Sequence, residues 1–233
     1  MSERTATGVE AFAAVGQRLP SRHRLTADEV AASQRARILV AFLEIAAEKG
    51  YPSVTIADIV ERAGVSRQAF YHLFPTKHAC FVAAFRAGSA VALGEINRPL
   101  SELPYTDWRG GIQRAMEKYL TLLAEHPKAT WALQIECLAA GPEVAAMYHR
   151  RVAHLAELYR LTYNHVIRKE HPDRPILPDE AFDLVVGGMS DRIRYCLYTR
   201  GAEAIPELAP VFFATLMTLF GEQVDSADPA AGA

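Results

Sequence analysis

The stretch that decides the fold lies at residues 55–74 and reads TIADIVERAGVSRQAFYHLF. Thr55 is suited to cap a helix whose apolar residues fall on one face, and Gly64 suits the tight turn after it. Ser66 is suited to cap a second helix, which Pro75 ends. A helix, a short glycine-containing turn and a second helix form the motif that lays its second helix in the major groove of DNA. The stretch therefore predicts a helix-turn-helix.

The second helix of this motif has an apolar face and a polar face. The residues expected to face the core are Val65, Ala69, Phe70, Leu73 and Phe74. The opposite face carries side chains suited to DNA, namely Arg67, Gln68, Tyr71 and His72. Arginine can read guanine and glutamine can read adenine, whereas tyrosine and histidine can reach phosphates. A three-helix packing unit with a polar outer face and no DNA contact would give the same pattern. The pattern alone does not distinguish between these two alternatives.

The rest of the chain is predicted to be a series of helices. Thr26 and Glu29 fit a capping box at the start of a helix that ends before Gly50. Proline and glycine residues separate the later helices, which we expect at 76–97, 107–125, 127–140, 142–169, 178–200 and 203–224. The sequence predicts an all-α fold. A three-helix DNA-binding domain at residues 26–80 is followed by a helical bundle at residues 81–224 that binds a ligand and dimerises.

The run from Arg35 to Phe85 closely resembles the N-terminal domain of TetR-family regulators. The likeness rests on AAEKGY at 46–51, TxxDI at 55–59, AGVS at 63–66, FY at 70–71, Phe74 and Lys77. The resemblance implies a homodimeric, usually repressive protein that binds operator DNA and that a small molecule releases. It also implies DNA contacts by Thr55, Ser66, Arg67, Gln68, Tyr71 and Lys77. One feature departs from the family, which often has a variable residue between the tyrosine and the histidine. Here His72 directly follows Tyr71, so His72 is a candidate through its place on the polar face.

A basic segment precedes the first helix. Residues 1–25 include Arg18, Arg22, His23 and Arg24, and arginine arms of other proteins enter the minor groove. We expect a flexible arm in which Arg22 and Arg24 contact DNA, and a solvated loop that folds back on the protein is an equal alternative. The lead-in looks like that of TetR-family members with an extended N-terminus. Residues 225–233 are small and polar and are expected to form a frayed tail.

The helices of the bundle carry aromatic and apolar stripes. Such stripes usually form the core, but bundle interiors also hold small-molecule pockets. The candidate ligand-binding residues are Met116, Tyr119, Trp131, Gln134, Tyr159, Tyr163, Met189 and Arg192. The last two helices have broad apolar faces, which predict a four-helix dimer interface. The residues predicted to form it are Phe182, Val186, Ile193, Leu208, Phe212, Leu216 and Leu219.

Composition and missing motifs narrow the function. The formal net charge is −2, with ten Lys and Arg against eight Asp and Glu in residues 1–78, which suits a mildly basic head on an acidic body. Three scattered cysteines and no signal-peptide pattern favour the cytoplasm. No uninterrupted apolar run suggests a membrane span, and no catalytic, cofactor or metal motif occurs. We therefore expect no enzyme, metal or cofactor. The alternative function is a helical ligand-binding or protein-interaction module that does not bind DNA.

Overall fold

The computed structural model describes residues 26–102 and 107–222, and within those ranges it contains helices and no strand. This confirms the all-α prediction. The predicted basic arm at residues 1–25, with Arg22 and Arg24, and the predicted tail at residues 225–233 lie outside the described residues.

Three helices form the N-terminal head: α1 (Ala27–Lys49), α2 (Ile56–Ala63) and α3 (Arg67–Leu73). The Thr26 hydroxyl accepts the backbone N–H of Glu29, and the Glu29 carboxylate accepts the backbone N–H of Thr26, which confirms the predicted capping box. Thr55 and Asp58 form a second capping box at the start of α2. Gly64 has a φ of 61°, a left-handed conformation that glycine adopts at little cost, and it ends α2. These local signals set the helix-turn-helix.

Six further α-helices make up most of the rest of the described chain: α4 (Lys77–Glu102), α5 (Trp108–Glu125), α6 (Pro127–Gln134), α7 (Pro142–Thr162), α8 (Asp179–Thr199) and α9 (Ala209–Leu219). Shorter helical pieces lie between them, at Tyr51–Ser53, Glu136–Ala139, Tyr163–Ile167, Arg168–Glu170 and Ala202–Leu208. Two of the differences from the predicted boundaries involve prolines. α4 continues through Pro99 instead of ending before it. The last predicted helix begins as a 3₁₀ segment, because Pro206 lacks the N–H that an α-helix needs there.

The buried side chains form two cores, which do not follow the predicted boundary at residue 80. The first core lies under the head and also contains buried residues of the 132–148 segment, such as Leu133, Cys137, Val144 and Tyr148. The second core joins α5, α8 and α9 with the later part of α7. α4 packs along α5 and contributes Phe81 and Phe85 to the first core. The head therefore shares one continuous core with part of the body.

Two helical segments of the described chain, Lys77–Asn97 and Ala202–Leu219, are long and apolar enough to cross a membrane by length and composition. Phe81 and Phe85 of the first segment are fully buried in the head core. Leu216 of the second is equally buried in the body core. These large apolar side chains therefore pack against other helices of the described chain.

Candidate DNA-binding surface and ligand cavity

The recognition helix α3 is anchored by its apolar face. The Phe70 side chain is fully buried and Phe74 is almost so. The guanidinium of Arg35, from α1, lies 4.8 Å from the centre of the Phe74 ring. The Ser66 hydroxyl accepts the backbone N–H of Ala69 at 3.1 Å and caps the helix, as predicted. This packing fixes which side of α3 faces outward.

The outward side of α3 carries the four side chains that the sequence analysis grouped there. Arg67, Gln68 and His72 are exposed, and no other side chain in the described part of the chain hydrogen-bonds or pairs with them. The Tyr71 side chain is 55 % exposed and meets only the edge of the Phe70 ring. A set of polar side chains without internal partners, held on a rigid helix, is free to contact an external ligand.

Thr55 and Lys77 are already engaged with the protein. The Thr55 hydroxyl accepts the backbone N–H of Asp58 and donates to the Asp58 carboxylate at 2.6 Å. The Lys77 ammonium donates to the backbone carbonyls of Tyr51 and Pro52 at 3.2 and 3.1 Å, and it lies 4.8 Å from the centre of the Tyr51 ring. An ammonium has three N–H donors, so one donor of Lys77 is left for a further partner.

Sequence reasoning missed one residue that holds the turn of the motif. The Arg37 guanidinium, from α1, donates to the backbone carbonyls of Ala63 and Gly64 at 2.9 and 3.3 Å. These carbonyls lie at the end of α2, where helix geometry leaves acceptors unsatisfied. The contact joins residues 26 and 27 positions apart, so no local spacing could have indicated it.

The acidic residues behind the motif are paired with cations. Glu48 accepts hydrogen bonds from Arg62 and Lys128, and these bonds lower the pKa of its carboxyl to about 2. A hydrogen bond from Lys49 likewise holds the pKa of Asp58 well below its usual value. Because these carboxylates are neutralised locally, they oppose the approach of a polyanion less than unpaired carboxylates would.

A cavity lies in the second core, between α5, α7, α8 and the end of α4. The space between its walls is about 470 Å³ when the open solvent at its mouth is counted. Four of the predicted ligand-binding residues line it, namely Met116, Tyr119, Tyr159 and Met189. The other lining residues are Ile96, Ala115, Leu120, Leu155, Val186, Ser190, Ile193 and Phe212.

The other four candidate ligand-binding residues do not line the cavity. Trp131 donates its indole N–H to Glu136 at 3.2 Å and packs against another aromatic ring. Tyr163 is fully buried and donates to the backbone carbonyl of Pro175. Arg192 is exposed and stacks on the Tyr195 ring. Gln134 is buried directly behind the wall, where it donates to the Tyr119 hydroxyl.

Both tyrosines of the cavity wall remain protonated in neutral solution. Burial raises the pKa of the Tyr159 phenol to about 12, with a smaller contribution from the nearby Tyr119. Burial also raises the pKa of Tyr119, and the Arg151 guanidinium partly opposes that effect. The cavity therefore presents neutral hydroxyl groups, which can hydrogen-bond with a ligand.

Comparison with known proteins identifies the family of the N-terminal head. Residues 38–84, which include the whole helix-turn-helix, match the family model described as bacterial regulatory proteins, tetR family. The head of the chain therefore carries a TetR-family N-terminal domain. CymR of Pseudomonas putida, an HTH-type transcriptional regulator, is 42% identical over 65 residues, which are 28% of this chain and 32% of CymR.

A second curated relative matches over more of the chain. EthR of Mycolicibacterium smegmatis, also named an HTH-type transcriptional regulator, is 26% identical over 122 residues, 52% of this chain and 55% of EthR. The chain thus spans about a third to a little over half of these two relatives. The solved structure of FadR from Bacillus subtilis, in complex with stearoyl-CoA, has a TM-score of 0.65 at 15% identity. The likeness covers 77% of this chain and 96% of that one and shows a shared fold.

Six of the seven residues predicted to form the dimer interface are buried inside the protomer, so they do not form an exposed face for a second copy. The buried ones are Phe182, Val186, Ile193, Leu208, Phe212 and Leu216, and Leu219 packs against the same core. Three of them line the cavity, namely Val186, Ile193 and Phe212. The physical reason is that α8 and α9 turn their apolar stripes toward α5 and α7 of the same chain.

Proposed function

We propose that this protein is a cytoplasmic transcriptional repressor that binds palindromic operator DNA as a homodimer and leaves it when a small molecule occupies the cavity. The observation that carries the proposal is the arrangement of α3. Its apolar face is buried in the core, while Arg67, Gln68, Tyr71 and His72 project outward without hydrogen-bond or ion-pair partners among the described side chains.

The order of side chains along α3 suggests which of them contact base edges and which contact phosphates. Arg67 and Gln68 lie in the first turn, the part of a recognition helix that contacts base edges in helix-turn-helix proteins. Tyr71 and His72 lie one turn later, where they would reach phosphates. Thr55, Ser66 and Lys77 flank the helix, and the remaining donor of Lys77 would complete the phosphate contacts. Arg22 and Arg24 of the N-terminal arm are proposed to add contacts in the minor groove.

A dimer is needed because two recognition helices must meet successive major grooves, about 34–36 Å apart. The outward face of α8 is suited to pair with a second copy. It exposes Leu184, Tyr195 and Tyr198 at helical spacing, and Gly188 lies among them with open space where a side chain would be. Val211 of α9 is also exposed. Large apolar side chains left in water are typical of an interface that another subunit covers.

Release by a ligand would act through α4. This helix contributes Ile96 to the cavity wall at one end and Lys77 beside the recognition motif at the other. A ligand that binds better when the two heads are spread apart shifts the population away from the DNA-bound form.

The deciding experiment is selection of bound sequences from a random pool of duplex DNA. We expect the wild type to enrich a palindrome, and the Arg67→Ala/Tyr71→Ala double variant to enrich none. Both side chains are exposed, so the double variant should fold normally, and its circular dichroism serves as the control. Failure of the wild type to enrich any sequence at low salt would contradict DNA binding and favour a ligand-binding module that does not read DNA.

A further inference from the structure

A chain of three polar side chains leads from a cation behind the cavity to the cavity wall. The Arg151 guanidinium donates to the backbone carbonyl of Leu133 at 3.4 Å and to the side-chain oxygen of Gln134 at 3.2 Å. The side-chain nitrogen of Gln134 donates to the Tyr119 hydroxyl at 3.4 Å. Tyr119 lines the cavity, whereas Gln134 and Arg151 stand behind it.

The direction of hydrogen bonding along this chain is imposed by Arg151. An arginine side chain is always protonated and has donors only. Gln134 must therefore turn its amide oxygen toward Arg151, which leaves the amide N–H groups for Tyr119. The Tyr119 oxygen accepts one of them, so its own proton remains available. No acceptor for that proton occurs among the described residues, and the space that Tyr119 borders is the cavity.

The rest of the wall is apolar. Besides Tyr119, only Tyr159 and Ser190 bring polar side-chain groups, and none of the described lining residues is charged. A charged ligand would lose its hydration here without gaining an ionic partner, which costs several kcal/mol. Arg151 does not supply that partner, because Gln134 lies between it and Tyr119 and the guanidinium is also stacked on the rings of Phe85 and Tyr148.

We propose that the cavity takes a small, uncharged and largely apolar molecule that carries a hydrogen-bond acceptor, such as a carbonyl or an ether, and that the Tyr119 hydroxyl donates to this acceptor. The inference rests on the small-molecule site of the proposed function and specifies its ligand class. Tyr119 thereby determines specificity, and Gln134 is a positioning residue that keeps the Tyr119 proton directed into the cavity.

The test measures the binding of three probes of similar size to the full chain by titration calorimetry, in the absence of DNA. Butyrophenone carries a carbonyl, butylbenzene has no acceptor oxygen, and 4-propylbenzoate is an anion. We expect both neutral probes to bind, and the benzoate to bind at least about tenfold more weakly than the ketone, because an unpaired buried charge is costly. Tyr119→Phe should weaken butyrophenone about three- to tenfold, the range of one hydrogen bond, and leave butylbenzene unchanged.

Two further variants separate the hydrogen bond from general damage. In Gln134→Glu the new carboxylate accepts from both Arg151 and Tyr119, so the Tyr119 proton turns away from the cavity. This variant should reproduce the loss seen for Tyr119→Phe although the phenol is still present. Tyr163→Phe is the control, because Tyr163 is a buried tyrosine of the same core whose hydroxyl donates to Pro175 and which does not line the cavity. It should leave the ratio of ketone to hydrocarbon affinity unchanged.

Three outcomes would overturn the inference. These are tighter binding of the benzoate than of the ketone, equal weakening of both neutral probes by Tyr119→Phe, and no binding of either neutral probe. Since no DNA is present, each of these outcomes leaves operator selection by the same protein untouched. Conversely, the expected pattern together with failure of operator selection would contradict the proposed repressor and keep the ligand class.

Discussion

The Arg151 guanidinium lies 5.0 Å from the centre of the Phe85 ring, so one side chain of α7 contacts the core beneath the DNA-binding motif. Phe85 is almost fully buried on α4, in the same core as Phe70 of the recognition helix. Arg151 also donates to Gln134 behind the cavity wall. The ligand cavity and the head are therefore separated by a short series of direct contacts.

Replacing Arg151 should weaken the contact between head and body. Arg151→Met keeps much of the aliphatic packing but removes the cation over Phe85 and the donors to Leu133 and Gln134. We expect a loss of about 1–3 kcal/mol in the free energy of unfolding, measured in urea, because buried acceptors lose their partners. Arg192→Met is the control, since Arg192 is exposed and should change stability by less than about 0.5 kcal/mol. Equal effects of the two changes would contradict this role of Arg151.

A methyl group at Gly88 should disturb the packing of α4 against α6. A Cβ there would lie 2.4 Å from a terminal carbon of Leu133, which is much closer than real contacts allow. Gly88→Ala should lower the free energy of unfolding by about 1–3 kcal/mol, as overpacking does.

Gly94 offers a matched control for Gly88 on the same helix. It has open space where a Cβ would be, so Gly94→Ala should stabilise the protein by about 0.5–1 kcal/mol through helix propensity. Adding Leu133→Val to Gly88→Ala should recover part of the loss, because it shortens the side chain that is too close. If both glycine variants shift the unfolding midpoint in the same direction, the close approach at Gly88 is unimportant.

Replacing Arg67 and replacing Lys77 should change DNA binding in different ways. Arg67→Ala should cost about 1–3 kcal/mol on the selected operator and relax base preference at one position. Lys77→Ala should weaken binding to matched and mismatched DNA alike and reduce the salt dependence. Fluorescence anisotropy at several salt concentrations measures both effects, with exposed Arg86 on α4 as the control for loss of a positive charge. An equal loss on all sequences for Arg67→Ala would assign Arg67 to a phosphate contact.

The outward face of α8 should carry the dimer. Leu184→Asp places a charge in the proposed interface and should raise the dimer dissociation constant by at least about tenfold, measured by sedimentation equilibrium. Ile176→Asp is a close control, because the two side chains are 76 % and 77 % exposed and Ile176 precedes α8 in the chain instead of belonging to its outward face. A dimer that survives Leu184→Asp unchanged would have to form through another surface.

Stability should fall at alkaline pH because of Tyr159. Its folded-state pKa is about 12, whereas an unfolded tyrosine titrates near 10, so the unfolded chain releases its proton first. This contribution to stability is complete below about pH 10 and is lost as the pH rises toward about 12, by about 2 kcal/mol. Urea unfolding across this range should fall more steeply for the wild type than for Tyr159→Phe. Identical slopes would show that Tyr159 ionises as easily when folded.

The helix-turn-helix was predictable because its signals are local. Capping residues three positions apart, a glycine at the turn and the spacing of Phe70 and Phe74 act within a single turn or two of helix. Pro206 also acts locally, because its missing N–H changes the type of helix around it.

The cavity and the dimer face could not be separated by sequence. An apolar stripe such as that of Val186 and Ile193 indicates that another element covers it. Which element covers it depends on how the whole chain packs, and the local sequence does not show this. In α8 the covering helices belong to the same protomer, and the face left for a partner carries Tyr195 and Tyr198 among polar residues. Arg151 and Phe85 are 66 positions apart, beyond any local pattern.

The shared core has a consequence for protein engineering. In an excised fragment that ends after α4, the apolar surface that Leu133, Cys137 and Val144 cover in the intact chain would be exposed to water. Grafting such a fragment onto another sensor would also require the host to reproduce the shape of the 132–148 segment. New operator specificities are therefore better introduced by exchanging the exposed side chains of α3 than by exchanging whole heads, since Arg67, Gln68 and His72 are exposed to solvent.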